Sequence, residues 1–259
     1  MLNFVISLKE AEKRRKHIED EFNLQEIPFS FFDAVNKSNL NQIIAKFGIS
    51  FDDTKLTVGE KSCFLSHVVL WNYCVENELK YIAIYEDDVV LSVNSHKLLK
   101  NFDWIPKGLD IIKLEKFEDS VLMSFFNKIN IKNYGCLREL KQMHLGTAGY
   151  IVSLDGAKKL LNLVISYKQF ETIDELLFNT NIANQYFKVY QMIPAIVMQM
   201  DRINSGVLPS QLQDERSKRV AHKEKIKKKF FSKIKLEVLR VFFRTQKLFC
   251  KIGFERANK

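Results

Sequence analysis

The stretch YIAIYEDDVVL, residues 81–91, sets three adjacent carboxylates inside an apolar segment. We predict one buried β-strand here, because short apolar runs of this composition are typical of strands in layered α/β proteins. In an open α/β sheet, ligands bind beyond the carboxyl ends of the strands, and Glu86, Asp87 and Asp88 follow directly after YIAIY. Alternation along a strand places Glu86 and Asp88 on one face and Asp87 on the other. The stretch therefore predicts a strand of the central sheet with a polar ligand site at its end.

These three acids are candidate ligands of a divalent cation. Neighbouring carboxylates repel one another and raise each other's pKa, so a group of them needs a compensating positive charge. Mg²⁺ or Mn²⁺ supplies that charge and is bound by one or two carboxylates together with phosphate oxygens and water. From the residues alone, a solvated acidic turn without a ligand is the alternative.

Outward from this stretch, strand patterns alternate with helix patterns, and Gly and Pro are scarce at 9 and 4 residues. The predicted elements are strands at residues 2–8, 27–35, 81–91, 108–114 and 187–197, a helix at 9–22, a loop and helix at 56–79, a helical segment at 167–182, and a strand, a turn at Asp155–Gly156 and a helix within 146–164. This order predicts an α/β domain with a mainly parallel central sheet.

Charge divides the 259 residues into two regions. Residues 211–259 contain 16 Lys or Arg and 5 Asp or Glu, a net of +11, while the whole chain carries +9. Residues 1–210 therefore carry a net charge of −2. We predict a folded domain over 1–210 and a separate basic helical tail over 211–259.

The predicted tail alternates basic and large apolar residues. Phe231, Ile234, Val238 and Phe242 follow near-helical spacing, so one face of a helix would be apolar and another basic. Such a helix is expected to bind an anionic membrane surface. Packing on the body or on another subunit is an alternative, and nucleic-acid binding is disfavoured because no recognition module is present.

The sequence also bears on location and redox state. No apolar run reaches the roughly 18 residues that a membrane span needs. At the amino terminus an apolar run precedes the charges, the reverse of a signal peptide, so we predict none. The cysteines at 63, 74, 136 and 250 fit no zinc-binding spacing and are expected to be buried, structural thiols in a reducing cytoplasm.

Eight segments resemble glycosyltransferase family 25, the lipooligosaccharide hexosyltransferases related to the collagen galactosyltransferases. In family order they are FVISLKEAEKRR, FFDAV, VGEKSCFLSHVVLWNYC, YIAIYEDDVVL, LDIIKL, LGTAGYIVSLDGAKKLL, IDELL and VYQMIPAIV, which together span about residues 1–200. The resemblance implies a GT-A-like nucleotide-sugar-binding fold. It also implies a UDP-hexose donor, with galactose or glucose as the sugar, and inversion at the anomeric carbon.

Two positions depart from the family pattern. Ser62 stands where many members have glycine in the block GEKSCFLSH. Some relatives carry a histidine, a candidate further metal ligand, after the segment that here reads MIPAIV. This chain continues MQMDRINSG without histidine, so the sequence leaves a third ligand unassigned.

The resemblance suggests roles for the acids. Asp88 is expected to be the main ligand of Mn²⁺ or Mg²⁺, and Glu86 a partner or outer group. Inversion in one step needs a base on the acceptor hydroxyl, for which a carboxylate is suited. Asp174 is our first candidate for the catalytic site and Glu175 is the second candidate for the base. Two surface acids near a helix start are the alternative.

A further group of residues is expected to bind the donor by resemblance, mainly at strand ends and in the small-residue patch 146–149. These residues are Ser7, Leu8, Asp33, Ala34, Val35, Glu60, Ser66, His67, Asp87, Gly146, Thr147, Ala148 and Gly149. For the patch, tight strand packing is the alternative. His67 could equally be a satisfied core residue, Arg15 could be solvated or contact phosphate, and Asp155 is expected in a turn or helix cap.

Together these observations predict a glycosyltransferase on the cytoplasmic face of the membrane. It would transfer galactose or glucose from a UDP-sugar to a lipooligosaccharide or lipopolysaccharide core. Two other classes remain open: another metal-dependent phosphate enzyme, and a non-catalytic, membrane-associated protein that binds nucleotide sugars.

Overall fold

The computed structural model describes residues 2–51, 56–166, 171–203 and 250–256. Its strands are β1 (Asn3–Ser7), β2 (Ser30–Asp33), β3 (Tyr81–Glu86), β4 (Val89–Leu91), β5 (Ile111–Lys113), β6 (Met123–Ile131), β7 (Gly135–Leu140), β8 (Gly149–Ser153), β9 (Val189–Ile193) and β10 (Val197–Gln199). Its helices are α1 (Glu12–Asn23), α2 (Leu40–Phe47), α3 (Val58–Glu76), α4 (His96–Leu99), α5 (Leu154–Ser166), α6 (Ile173–Glu175), α7 (Asn181–Asn184) and α8 (Met200–Ile203), with a π-helical segment at Leu176–Thr180.

Eight strands form one sheet in the order β2-β1-β3-β8-β5-β9-β7-β6. Strand β1 is parallel to β2 and β3, and β5 is parallel to β9. Strand β8 is antiparallel to β3 and β5, and β7 is antiparallel to β9 and β6. Six of the eight strands therefore run in one direction, with β8 and β7 reversed. The predicted α/β class with a mainly parallel sheet is confirmed.

Helices cover both faces of β3, which explains why its sequence is apolar without alternation. Ile82 and Ile84 lie in a core that includes the inner faces of α3 and α5. Ala83 and Tyr85 lie in a second core that includes Ile18 of α1. By the same alternation, Glu86 at the end of β3 belongs to the α3 side of the sheet.

The single strand predicted over residues 81–91 is wrong, because the chain turns at Asp87 and Asp88. Strand β4 leaves the large sheet and pairs antiparallel with β10, with Val89 opposite Gln199. Both acids are nearly buried in this turn, Asp87 beside Ser7 and Arg14 and Asp88 without a donor to its Oδ1 among the described residues. The two acids therefore lie between the two sheets.

Other element boundaries also differ from the sequence prediction. No turn separates β8 from α5: the helix begins at Leu154, and Ser153 Oγ accepts a hydrogen bond from Gly156 N at 3.0 Å. Asp155 lies in the first turn of this helix. The hairpin of β6 and β7, for which we made no prediction, pairs through β7 with β9 and extends the sheet. The predicted late strand 187–197 is divided between β9 and β10.

Most of the predicted tail lies outside the described residues, including the amphipathic helix expected around 231–242. Its residues 250–256 are described and pack on the body. Ile252 is buried, Ala195 N donates to Gly253 O at 2.8 Å, and Val93 N donates to Glu255 O at 3.0 Å. Among the residues that the structure describes, no helix is long and apolar enough to cross a bilayer.

Candidate active site

A cavity of about 410 Å³ opens at the carboxyl ends of β1 and β3, a volume suited to a small-molecule ligand. Its wall includes the end of β1, the loop at 34–37 after β2, the first half of α3, and the acidic turn. Of the residues predicted to bind donor or metal, those that line it are Ser7, Leu8, Ala34, Val35, Ser66, Glu86, Asp87 and Asp88. The cavity is also lined by four residues that were not among the predicted site residues, namely Arg14, Asn36, Lys37 and Cys63.

Ser66 connects α3 to the cavity loop. Its hydroxyl donates to Ser62 O one helical turn earlier at 2.8 Å and accepts from Val35 N at 2.9 Å. The loop is thereby fixed against the helix. The helix itself starts at a capping box in which Thr57 Oγ1 accepts from Glu60 N and Glu60 Oε2 accepts from Thr57 N. Glu60, predicted to bind the donor, has this capping role in the structure.

Asp87 is held by two residues of the chain. Ser7 Oγ donates to its Oδ2 at 2.7 Å, and Arg14 Nη1 donates to its Oδ1 at 2.5 Å. Burial lowers the pKa of Arg14, but the charges of Asp87, Asp88 and Glu86 outweigh burial and raise that pKa overall. Asp87 therefore serves as an internal counter-ion at the cavity wall.

Asp88 is differently placed although it is the next residue. It is 8% exposed, and no donor among the described residues bonds its Oδ1. Arg14 Nη1 lies 3.7 Å from its Oδ2. Burial raises the pKa of Asp88 to about 6, with Arg14 opposing the shift and other acids, Asp87 and Asp201 among them, adding to it. A carboxylate left in this state is suited to binding a cation.

Asp201 supplies another carboxylate near Asp88. It lies in the first turn of α8, directly after β10, where Met200 N donates to Asp88 O at 2.9 Å. Its Oδ1 is buried and has no hydrogen-bond donor among the described residues. Sequence analysis left the third ligand open because no histidine follows MIPAIV. The signal available in the sequence was the single acid in MQMDRI.

Two side chains orient the carboxylate of Glu86: Thr147, which lies just before β8, and Gln199, which ends β10. Its Oε1 accepts from Thr147 Oγ1 at 2.7 Å, and its Oε2 accepts from Gln199 Nε2 at 3.3 Å. Thr147 was a predicted donor-site residue, whereas Gln199 was missed. Both contacts fix the Glu86 carboxylate at the floor of the acidic turn.

Behind Glu86 lies a buried ion pair that the sequence did not reveal. Lys113 Nζ donates to Glu115 Oε2 at 3.0 Å and to Leu145 O at 2.9 Å, and also to Gly146 O, and both charged side chains are fully buried. Lys113 Nζ also lies 4.0 Å from the ring centre of Phe178. Burial lowers the pKa of Lys113 and raises that of Glu115, while the attraction within the pair opposes both shifts.

This ion pair accounts for the small-residue patch 146–149. Gly146 has φ of +87°, and a Cβ there would lie 2.6 Å from both Glu115 carboxylate oxygens. Ala148 N donates to Glu115 Oε2 at 3.1 Å. A Cβ at Gly149 would lie 2.9 Å from the Val197 side chain. In this structure the glycines serve close packing, and the cavity wall does not include the patch.

The two candidate bases have different surroundings. Asp174 is 9% exposed, its charge acts on Lys113, and no donor among the described residues bonds its Oδ1. Glu175 Oε2 accepts from Asn179 Nδ2 at 2.7 Å, one helical turn later. Neither residue lines the cavity. The π-helical segment that follows them carries Phe178 under Lys113, and such segments are frequent at functional sites.

His67 is a core residue of α3. Its Nδ1 lies 2.8 Å from Tyr150 Oη, which also accepts from Trp71 Nε1 at 2.9 Å. Complete burial lowers the pKa of His67 to about 3, so the ring is neutral at physiological pH. His67 does not line the cavity, although Cys63, one turn before it, does.

Asp33 is exposed at the end of β2 and forms an ion pair with Arg15. Arg15 Nε also donates to Leu8 O at 3.1 Å, and its guanidinium lies 4.6 Å from the ring centre of Phe31. Arg15 therefore joins the ends of β1 and β2 beside the cavity rather than being solvated.

The fold and cavity define an α/β protein with an acidic ligand site at the strand carboxyl ends. The model of glycosyltransferase family 25, described as an LPS biosynthesis protein, matches residues 1–177. The lipooligosaccharide biosynthesis protein lex-1 of Haemophilus influenzae is 34% identical over 93% of this chain and 91% of its own length. The protein lic2B of Haemophilus influenzae, also a lipooligosaccharide biosynthesis protein, is 38% identical over 86% of each chain. The chain belongs to glycosyltransferase family 25 and is a glycosyltransferase.

Among solved structures, a glycosyltransferase involved in glycosylation of the major capsid of PBCV-1 is similar, with a TM-score of 0.42 and 10% identity. The likeness covers 84% of this chain and 100% of that one. At that TM-score it adds nothing to what the sheet topology shows.

Proposed function

We propose that this glycosyltransferase transfers galactose or glucose from a UDP-sugar to a lipooligosaccharide or lipopolysaccharide core, with inversion at the anomeric carbon. The acceptor class is supported by relatives such as lex-1 and lic2B, whose names describe lipooligosaccharide biosynthesis. The observation that carries the proposal is the cavity at the strand ends, whose wall contains the nearly buried Asp88 with an unpartnered Oδ1.

The residues at the acidic turn fit a divalent cation. Asp88 and Asp201 each present a buried carboxylate oxygen to which no described donor is bonded. Asp88 and Glu86 line the cavity, and Asp201 follows Met200, whose N donates to Asp88 O. All three are hard oxygen ligands of the kind that Mn²⁺ and Mg²⁺ prefer. A bound cation supplies positive charge against the diphosphate of the leaving UDP. We assign Asp88 as the main ligand, Asp201 as a further ligand and Glu86 as a partner.

The rest of the cavity is suited to the nucleotide. The loop at 34–37 and the end of β1 offer backbone groups and small side chains on the wall. Arg14 and Lys37 add positive charge, which favours phosphate. In this proposal Asp87 keeps Arg14 in place through their ion pair, and Ser66 keeps the loop in place through its bond to Val35 N.

Asp174 is the proposed base. In the transfer, the acceptor oxygen bonds to the anomeric carbon while the bond from that carbon to the UDP oxygen breaks, and the hydroxyl proton passes to a carboxylate. Asp174 has an unpartnered carboxylate oxygen, whereas the Glu175 carboxylate is bonded to Asn179. The acceptor would approach from the side of the π-helical segment, outside the donor cavity.

Membrane binding through residues 211–259 stays a prediction. It would place the enzyme on the inner face of the cytoplasmic membrane, where a lipid-anchored acceptor is made. Liposome binding by the full chain and by a chain that lacks residues 216–249 but keeps 250–256 would test this, with pelleting of the shortened chain on anionic vesicles as the contrary result.

The decisive experiment measures UDP release and glycosylated product by the purified full chain. UDP-galactose and UDP-glucose are supplied separately, with Mn²⁺ or with a chelator, and with a lipooligosaccharide core oligosaccharide as acceptor. Metal-dependent product from one donor supports the proposal. Release of phosphate or nucleotide without glycoside would identify another phosphate enzyme, and nucleotide-sugar binding without turnover would identify a binding protein. Either result would overturn the proposal.

A further inference from the structure

A second set of metal-ligand residues lies beside the donor cavity and differs from the acidic turn. One ligand atom each of Cys63, His67 and Glu86 lies within 4.8 Å of the others. Cys63 and His67 are four residues apart on α3 and therefore share one face of the helix. Glu86 ends β3, on the side of the sheet that α3 covers. The site is thus built by two rigid elements rather than by a loop.

The chemistry of this set is distinct from that of the acidic turn. A thiolate, an imidazole and a carboxylate are the ligands of zinc, whereas Mg²⁺ and Mn²⁺ prefer oxygen. Zinc bonds of about 2.0–2.3 Å put tetrahedral ligand atoms roughly 3.3–3.8 Å apart. Closing the set from 4.8 Å to that spacing needs side-chain shifts of about 1 Å, which rotation about χ angles can provide.

His67 supplies the independent observation that the set is suited to a ligand. Its side chain is completely buried, and its Nε2 has no hydrogen-bond partner among the described residues. A buried polar atom without a partner is unfavourable. The ring is neutral, so a nitrogen lone pair is available. With a metal on Nε2, the proton resides on Nδ1 and is donated to Tyr150 Oη, which lies 2.8 Å away.

We propose that Cys63, His67 and Glu86 form a site for Zn²⁺ or a similar borderline metal, and that its occupation inhibits the enzyme. Three protein ligands leave a fourth tetrahedral position for water. Cys63 and Glu86 both line the donor cavity, so a metal there would occupy the wall beside the nucleotide. It would also withdraw Glu86 from the acidic turn. The inhibition rests on the proposed function, whereas metal binding does not.

The absorption spectrum of bound Co²⁺ tests metal binding at this site without an activity assay. The reduced full chain is titrated with Co²⁺, which gives a thiolate-to-cobalt charge-transfer band when a cysteine ligates it. We expect this band in the wild type and in Cys136→Ser, a control at a different cysteine, which is buried outside the cavity wall. We expect Cys63→Ser to lack it, and added Zn²⁺ to displace it. No band in the wild type, or an equal band in Cys63→Ser, overturns the site.

Tyr150→Phe provides a second variant that keeps all three ligands. It removes the hydroxyl that orients the His67 ring, and loss of such an orienting group weakens metal affinity by about 10-fold or more. Competition of Zn²⁺ against a chromophoric chelator gives the affinity, and circular dichroism confirms that each variant is folded. Unchanged zinc affinity in folded Tyr150→Phe would contradict ligation through His67.

Inhibition is measured separately, with Mn²⁺ in excess and micromolar Zn²⁺ added. Each variant is compared with its own rate without zinc. We expect wild type and Cys136→Ser to lose about 10-fold or more of their activity, and Cys63→Ser to be little affected, in line with loss of one zinc ligand. Cobalt binding without zinc inhibition would overturn the inhibitory role. Absence of transfer even without zinc would instead count against the proposed function, because cobalt binding is scored independently.

Discussion

Strands β3 and β5 run in the same direction, and each is followed by carboxylates. These carboxylates differ in how closely a cation of the protein pairs with them. After β5, Glu115 is fully buried but bonded to Lys113 at 3.0 Å and to Ala148 N at 3.1 Å. After β3, Asp88 is nearly buried, and its closest cation is Arg14 at 3.7 Å. The charge at Glu115 is compensated inside the protein, whereas the charge at Asp88 is only partly compensated.

If the proposed function is right, the distance to the nearest cation separates a structural acid from a functional one when both are buried. An acid that helps to hold the fold brings its own counter-ion, because an unpaired buried charge is very unfavourable. An acid that serves a ligand is left short of partners in the protein alone. Asp87, bonded by Ser7 and Arg14, belongs to the first kind although it adjoins Asp88.

The largest expected effect separates Asp174 from its neighbour. Asp174→Asn should lower kcat by about 10²–10⁴-fold, the usual contribution of a general base. Glu175→Gln should lower it by only a few-fold, since Glu175 is bonded to Asn179. Steady-state kinetics with UDP-hexose and acceptor give both values. Equal losses in the two variants, or a larger loss in Glu175→Gln, would contradict the choice of Asp174.

Removing only one partner of the buried Lys113–Glu115 pair should strongly destabilise the protein. Lys113→Met leaves Glu115 buried without its cation, and we expect a loss of about 3–5 kcal/mol in the free energy of unfolding. Adding Glu115→Gln should recover much of that loss. Urea denaturation measures both. The matched control is Lys159→Met, which breaks a surface pair with Asp110 and should cost no more than about 1 kcal/mol. If Lys113→Met lowered the free energy of unfolding by no more than this control, the buried pair would not contribute to stability.

Asp88→Asn should affect catalysis and leave the fold intact. We expect kcat to fall by about 10²–10³-fold, as when one group that stabilises developing charge is removed. Asp119→Asn is the control, because Asp119 is an exposed acid that forms an ion pair with Lys116. Turnover and near-ultraviolet circular dichroism are measured together. Full activity of Asp88→Asn would rule out Asp88 as a metal ligand.

The pH dependence of stability gives a smaller effect of known sign. Since burial raises the pKa of Asp88 from 3.8 to about 6, the folded protein binds this proton more tightly than the unfolded chain. Asp88 is therefore unfavourable to folding above pH 6, and this penalty disappears as the pH falls from 6 to below 3.8. The shift corresponds to about 3 kcal/mol.

In the absence of divalent metal, Asp88→Asn should thus be more stable than wild type at pH 7.5 and equal to it near pH 3.5. Thermal denaturation in a chelating buffer at the two pH values measures the difference. Added Mn²⁺ should stabilise wild type and leave the variant unchanged. A variant less stable than wild type at pH 7.5 would show that the Asp88 carboxylate is compensated within the protein.

Some of the site could be predicted from the sequence because its signals are local. The apolar run YIAIY and the acids after it can be recognised from neighbouring residues alone. The Thr57–Glu60 capping box is equally local but was not predicted, and Glu60 was expected in the donor site instead. Ser7, Val35 and Ser66 were found through the resemblance to the family, and the structure places them on the same cavity wall. Their proximity follows from the parallel strands, which bring β1, β2 and β3 to one edge.

Other predictions failed or were missing because they depend on distant partners. The turn at Asp87 depends on Arg14, which lies 73 residues earlier, and on the pairing of β4 with β10. His67 was considered for the donor site, but it is bonded to Tyr150, 83 residues later, in the core. Lys113 was not singled out, since an isolated charge in a chain is usually solvated, and the single acid in MQMDRI, Asp201, is a weak signal for the same reason.

The sequence alone thus determined the α/β order and the presence of acids at a strand end, because these follow from local periodicity. Only the tertiary structure decided which acids are compensated. Asp87 obtains its cation from α1, and Glu115 is paired with Lys113 two residues earlier. Asp88 has no cation closer than Arg14 at 3.7 Å among the described residues. The reason is that the energy of a buried charge depends on every group that packing brings near it, and only some of these groups are its neighbours in the chain.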